Sequence, residues 1–249
     1  VTTDSGANAP AATDDDEAAQ RKRHAWATRG KINTYIQEMG WYALQRDEEI
    51  VRSLLGKGPG RSLDIPCGSG RFTELQKELD FDVVSADYSP TMLDEAVRKA
   101  PGRVLRADIF NPPFPDESFD VVLISRLMFH YADPLTIIRG IAPLLRPGGR
   151  IVFDTLNPLS LRRAASLASP GRQKDGATRL HFANPAELSR GIEGLGLEVR
   201  QRRTAYVIPT RAYRLLPRWM AWTLHGIEKV WPGPARILTF WQVVKPEAR

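Results

Sequence analysis

The chain has 249 residues, 42% of them hydrophobic, and a formal net charge of +6. That is apolar material for one sizeable core, and no run approaches the roughly 18 apolar residues of a membrane span. A single cysteine excludes an internal disulfide and any cysteine-clustered metal site, so a reduced, cytoplasmic protein is expected.

Charge is uneven along the chain. Residues 1–20 carry five acids and no Lys or Arg, and have neither the basic end nor the apolar block of a secretory signal. Their composition predicts a disordered acidic tail, leaving 21–249 as one folded domain. From Leu156 onward 16 Lys and Arg face six Asp and Glu. Such a balance suits an acidic substrate, nucleic acid, an anionic membrane surface or a merely solvated basic face.

From about Glu17 to Leu55 apolar residues, among them Trp26, Ile32, Tyr35, Ile36, Trp41, Leu44 and Ile50, recur at helical spacing. After the breaker GKGPGRS the pattern alternates. Strands are expected at 62–65, 82–87, 103–108, 119–125 and 150–156, with helices at 70–79, 89–100 and 133–145 between them. Ser89 and Pro90 are suited to N-cap and first helical position. Residues 157–183 read as an irregular Arg/Ser/Gly-rich stretch. A helix at 185–196 and a strand at 197–208 follow, then an insertion at 209–234 and a last strand at 236–244. Strand–helix alternation of this kind predicts an α/β, doubly wound, mostly parallel sheet of seven strands. N-terminal helices precede it, and a helical segment is inserted before the last strand.

In such sheets ligands lie beyond the carboxyl ends of the strands, where strand order reverses. The stretch LDIPCGSGR (63–71) ends the first strand there. It carries Asp64, and Gly68 and Gly70 let the backbone curl against a ligand. A tight strand-to-helix turn is the simpler meaning of a lone G-x-G. Asp87, however, ends the second strand 17 residues after Gly70, placed to accept bonds from ribose hydroxyls, and Asp108 ends the third. The third glycine of a dinucleotide fingerprint is missing, as is a P-loop lysine. The site therefore reads as one for a nucleoside without phosphates.

With LDIPCGSGRFTE (63–74), VVSADYSPTMLDEA (83–96), RADIFNPPFPDESFDVVLISRLMFHYADP (106–134) and LLRPGGRIVF (144–153) in order, the chain resembles the class I S-adenosylmethionine-dependent methyltransferases, particularly those acting on small molecules. The resemblance implies S-adenosylmethionine as cofactor and a Rossmann-like fold. It places Asp64 near the methionine amino end, with Gly68 and Gly70 giving backbone room. Asp87 falls on the ribose, Tyr88 and Met92 along the adenine, and Asp108 and Ile109 at the adenine edge. Ser125 and Arg126 border the methionine portion through backbone groups. Pro66 departs from the family's usual glycine. Cys67 reads as a small buried residue rather than a nucleophile.

The candidate base is His130, a structural or positioning histidine being the simpler alternative; His181, Tyr206 and His225 are weaker candidates. No metal is expected, because Ser125–Arg126 stand where a magnesium-ligating acid would be needed. The expected acceptor is an O or C atom of an apolar, quinone-, phenol- or lipid-like molecule. In the insertion, Leu216, Trp219 or Met220, Thr223 or Leu224, Ile227 and Val230 form an apolar stripe, with Arg211, Arg214 and Arg218 off it. A lid over the substrate, a membrane-peripheral contact through 211–231, and packing against the sheet or a second subunit are the three readings of that segment. The alternatives to small-molecule methylation are an RNA (tRNA) methyltransferase and a protein of this fold that binds the cofactor but catalyses another step. Nucleic acid is the less favoured partner, since no RNA-binding module is recognisable.

Overall fold

The computed structural model describes residues 40–99, 101–168 and 180–247. The acidic tail and the helical pattern before residue 40 lie outside the described residues. Helix α1 (Trp41–Leu55) leads into β1 (Gly60–Asp64), α2 (Thr73–Glu78), β2 (Phe81–Asp87), α3 (Pro90–Lys99), β3 (Arg103–Arg106) and β4 (Phe119–Ile124). Then come α4 (Pro134–Ile141), β5 (Leu145–Leu156), α5 (Leu161–Ala168), α6 (Pro185–Gly194), β6 (Glu198–Ala205), α7 (Arg218–Val230) and β7 (Leu238–Val244).

The seven strands form one sheet in the order β3-β2-β1-β4-β5-β7-β6. Strands β1 to β5 pair in parallel, and β7 runs antiparallel to both β5 and β6, so β6 points the same way as β5. Strand order reverses between β1 and β4. The central strands are buried on both faces, as their continuous apolar runs require. In β4, Val121 and Leu123 join the core cluster under α1 and α2, while Val122 and Ile124 join the one under α4 and α6, Phe119 falling out of phase at the register shift before Val121. That is the two-residue period of a strand feeding two layers.

Local chemistry accounts for the boundaries. Ser89 accepts from the Met92 and Leu93 amides at the start of α3. Asp133 accepts from Leu135 N at 2.9 Å to cap α4. β5 begins at Leu145, earlier than the 150–156 expected, because Leu145 already pairs with Phe119 before the register shifts across Arg-Pro-Gly-Gly. The irregular stretch expected at 157–183 contains α5. Ser160 closes its first turn by accepting from Arg163 N and Ala164 N, and the Leu, Arg and Ala that follow are strong helix formers.

Gly70 has φ +74, and a Cβ there would lie 3.2 Å from the Ala96 backbone. Its glycine serves the seating of the loop on α3. Gly70→Ala is expected to cost about 1–2 kcal/mol through the left-handed backbone alone, read as a lower midpoint in urea unfolding.

Candidate functional site

A cleft of about 1260 Å³, part of it open to solvent, lies beyond the carboxyl ends of β1, β2 and β4. Every residue singled out from the sequence for cofactor binding lines it except Gly70, and so does His130. Gly70 turns its empty side to α3 instead. Gly68, with φ +55, has nothing within 4 Å of where a Cβ would stand.

Two buried carboxylates form one wall. Asp87 accepts from Gly68 N at 2.9 Å and from Ser89 N at 2.8 Å, so it pins the glycine turn to the end of β2. Burial raises its pKa against those hydrogen bonds. Asp64 is buried beside it, and its Oδ2 has no hydrogen-bond partner. Burial first, then the neighbouring Asp87 charge, push Asp64 up to about 8. Asp108 accepts from Phe110 N at 3.1 Å in the turn after β3. Ile65–Pro66 is a cis peptide on the cleft wall. Cys67 is buried, and burial holds its thiol well above its usual range, as expected of a packed residue rather than a nucleophile.

The opposite wall rests on a cluster the sequence did not announce. Asp47 of α1 is buried. Its Oδ1 accepts from the Tyr206 hydroxyl at 2.6 Å, and its Oδ2 accepts from Arg71 at 2.9 Å and from Arg126. Arg126 N donates to Asp154 Oδ1 at 2.6 Å, which commits that N–H to β5. Burial alone would raise Asp47, but the Arg126 and Arg71 charges and the hydrogen bonds from Arg126 and Tyr206 outweigh it and hold the carboxyl below its ordinary value. Asp154 is pushed up to about 6, burial winning over Arg126. Arg126 and Tyr206 have φ of 59° and 72°, left-handed values unusual for such residues. One signal could have found Asp47: Ala43, Asp47, Ile50 and Leu54 share a helical face, so the acid had to enter the core.

Three weaker candidates lie elsewhere. Tyr206 belongs to the Asp47 cluster. His225 Nδ1 is 2.8 Å from the Tyr42 hydroxyl, on α7. His181 lines a small separate cavity with Phe129 and Tyr131. No residue of 209–234 is among those lining the main cleft. Among the described residues no group of three His, Cys, Asp or Glu could hold a metal ion.

Removing the buried carboxylate that Arg71 and Arg126 share takes an ion-pair partner from both guanidinium groups. Asp47→Ala is therefore expected to cost about 3–5 kcal/mol, measured by chemical unfolding. Because the folded pKa of Asp47 is depressed, its contribution is complete above the ordinary carboxylate value near ~4 and disappears as pH falls through the folded one. The difference between wild type and Asp47→Asn should shrink on acidification below that point.

Residues 63–153 match the family described as a methyltransferase domain. The chain is 40% identical over 128 residues to a ubiquinone biosynthesis O-methyltransferase of Cereibacter sphaeroides, covering 49% of this chain and 51% of that one. It is 36% identical over 148 residues to a malonyl-[acyl-carrier protein] O-methyltransferase of Serratia marcescens, covering 57% and 56%. It thus spans about half the length of these curated relatives. A solved S-adenosylmethionine-dependent methyltransferase of Thermotoga maritima shares the fold at a TM-score of 0.63 and 19% identity, over 88% of this chain and 98% of that one. Residues 63–153 thus carry a methyltransferase domain, and the sheet has the fold of solved S-adenosylmethionine-dependent methyltransferases.

Proposed function

We propose that this protein transfers the methyl group of S-adenosylmethionine to an O or C atom of an apolar, quinone-, phenol- or lipid-like small molecule. The observation that carries the reading is the wall at the switch point: a buried, unpartnered Asp64 oxygen beside the open face of Gly68 and the Asp87 carboxylate. An orphaned buried carboxylate fits an ammonium group. A glycine with open space on its Cβ side fits close approach of a ligand to the backbone. The quinone- and acyl-directed names of the relatives support an apolar acceptor, as do Phe72, Leu127 and Tyr131 along the cleft.

When bound, the cofactor supplies a methyl group on a positively charged sulfur, open to in-line displacement. Asp64 would hold the ammonium group, Asp87 the ribose hydroxyls, and Tyr88, Met92, Asp108 and Ile109 the adenine. Asp87 also fixes the Gly68 turn. The Asp47 cluster keeps Ser125 and Arg126 in place on the methionine side. Orientation and exclusion of water supply most of the rate in such a transfer. Where the acceptor is a hydroxyl, its proton would pass to His130 on the cleft wall as the new bond to carbon forms.

Three outcomes are expected. Asp87→Ala should weaken S-adenosylmethionine binding by about 1–3 kcal/mol in calorimetric titration, and undiminished affinity would contradict the assignment. Near neutral pH, with Asp64 pushed up to about 8, the carboxyl is mostly protonated, so taking up a cation should release a proton. Titrations in buffers of different ionisation enthalpy should reveal that release in wild type and its loss in Asp64→Asn. The sign for stability is the reverse of that for Asp47. A raised carboxyl costs the unliganded fold progressively more as pH climbs from about 4 to about 8, and the ligand removes that cost. Lastly, His130→Ala should lower kcat on a hydroxyl acceptor by about 10²–10⁴-fold while cofactor affinity stays within twofold or so of wild type.

A further inference from the structure

The insertion before β7 packs through a different face from the one its apolar stripe suggests. At about 100° per residue, Ala221, Leu224, His225 and Glu228 share the inward arc of α7. Glu228 is buried there, accepting from Arg46 and from Tyr206 N. The opposite arc presents Trp219 at 68% exposure, Trp222 at 54%, Ile227 and, at 83%, Val230, with the exposed cations Arg218 and Lys229 along one side. Just before the helix, Leu215 is 79% exposed.

A second apolar projection stands on the same edge of the sheet. At that edge Leu156 pairs with Leu238, and Leu238 with Ala205. One step further, Asn157 N donates to Ile237 O, and Ile237 N donates to Tyr206 O. The chain therefore leaves for α5 from the row where it departs toward α7 and returns from it. On and beside α5, Leu159, Leu161 and Leu167 are all more than half exposed. This is also the edge on which the cleft opens. Residues 157–168 and 206–237 together contain seven Lys and Arg and one acid, and that acid is the buried Glu228.

We infer that this edge docks on the surface of an anionic lipid bilayer, with α7 and the α5 region lying in the interface. Tryptophans and branched aliphatics aimed outward beside Arg218 and Lys229, with no exposed carboxylate in 157–168 or 206–237 and the neighbouring Glu49 of α1 paired with Arg46, are what an interfacial helix needs: apolar burial at acyl-chain depth with the charges at headgroup level. Charge selects this occupant over a purely hydrophobic partner. No described helix is long and apolar enough to cross a membrane, so the contact is peripheral. The inference deepens the proposed function and rests on its apolar acceptor: a bilayer-dissolved molecule would meet the protein on the side where the cleft opens.

The test is co-sedimentation of the full chain with phosphatidylcholine vesicles, with and without phosphatidylglycerol, alongside calorimetric titration with S-adenosylmethionine. Binding should require phosphatidylglycerol and weaken with salt. Trp219→Ser combined with Val230→Ser, and separately Leu161→Ser with Leu167→Ser, should each lower partitioning about tenfold or more while leaving cofactor affinity unchanged. None of these four side chains lines the cleft. No vesicle binding, binding indifferent to lipid charge, or variants that bind like wild type would overturn the inference. So would a stable dimer that loses its association in the Trp219/Val230 variant, since a second copy would then be the occupant. Vesicle binding without cofactor binding would sink the methyltransferase reading and leave the surface standing; the converse would sink only the surface.

Discussion

The carboxylate of Asp47 holds together an edge of the sheet that backbone pairing alone leaves open. Parallel strands end in loops with no ladder between them, so the walls of a cleft built there must be tied by side chains. Asp47 reaches from α1 to Arg71 after β1, Arg126 after β4 and Tyr206 after β6, and Asp154 of β5 holds Arg126 from behind. Two arginines brought this close need an anion between them, and burial makes its loss expensive. The left-handed backbones of Arg126 and Tyr206, each costing about 1–2 kcal/mol, occur at members of this cluster, where side-chain bonds hold them in place. A wall fixed in this way spares a ligand the work of ordering it.

Across the cleft the electrostatics run the other way. Asp64 and Asp87 sit together in a buried wall that gives Asp87 two backbone amides and leaves one Asp64 oxygen without a partner. One side of the cleft thus sets its buried acids against Arg71 and Arg126, and the other is held short of a positive charge. That asymmetry gives a bound zwitterion an orientation: its cationic end is favoured at the carboxylate wall, where desolvation has already been met in folding.

Much of the architecture was legible in the residues. Seven strands, the positions of most helices, Ser89 as a cap and the convergence of Asp64, Gly68, Asp87 and Asp108 on one edge follow from periodicity, turn chemistry and the rule for strand ends. What escaped has a common physical origin. Asp47 lies in the charged run Arg46-Asp47-Glu48-Glu49, where composition suggests solvent, and only its spacing from Ala43, Ile50 and Leu54 betrays it. Gly70 and Gly68 look alike in sequence but differ in what a Cβ would touch, which a turn motif cannot express. In α7 the residues with the greatest apolar area face outward, and a buried Glu228 replaces them inside. Partners from α1 and the β6 end satisfy that carboxylate, and no local pattern records them.

Whether the cleft at the switch point takes S-adenosylmethionine decides what this protein does. Hydrogen–deuterium exchange with and without the cofactor tests this most directly, because it locates binding along the chain. Slowed exchange should appear in the turn after β1, around residues 68–72, at the β2–α3 junction around 88–92, and after β4 around 126–131. Binding accompanied by protection elsewhere, or no change in these three segments at saturating cofactor, would contradict it.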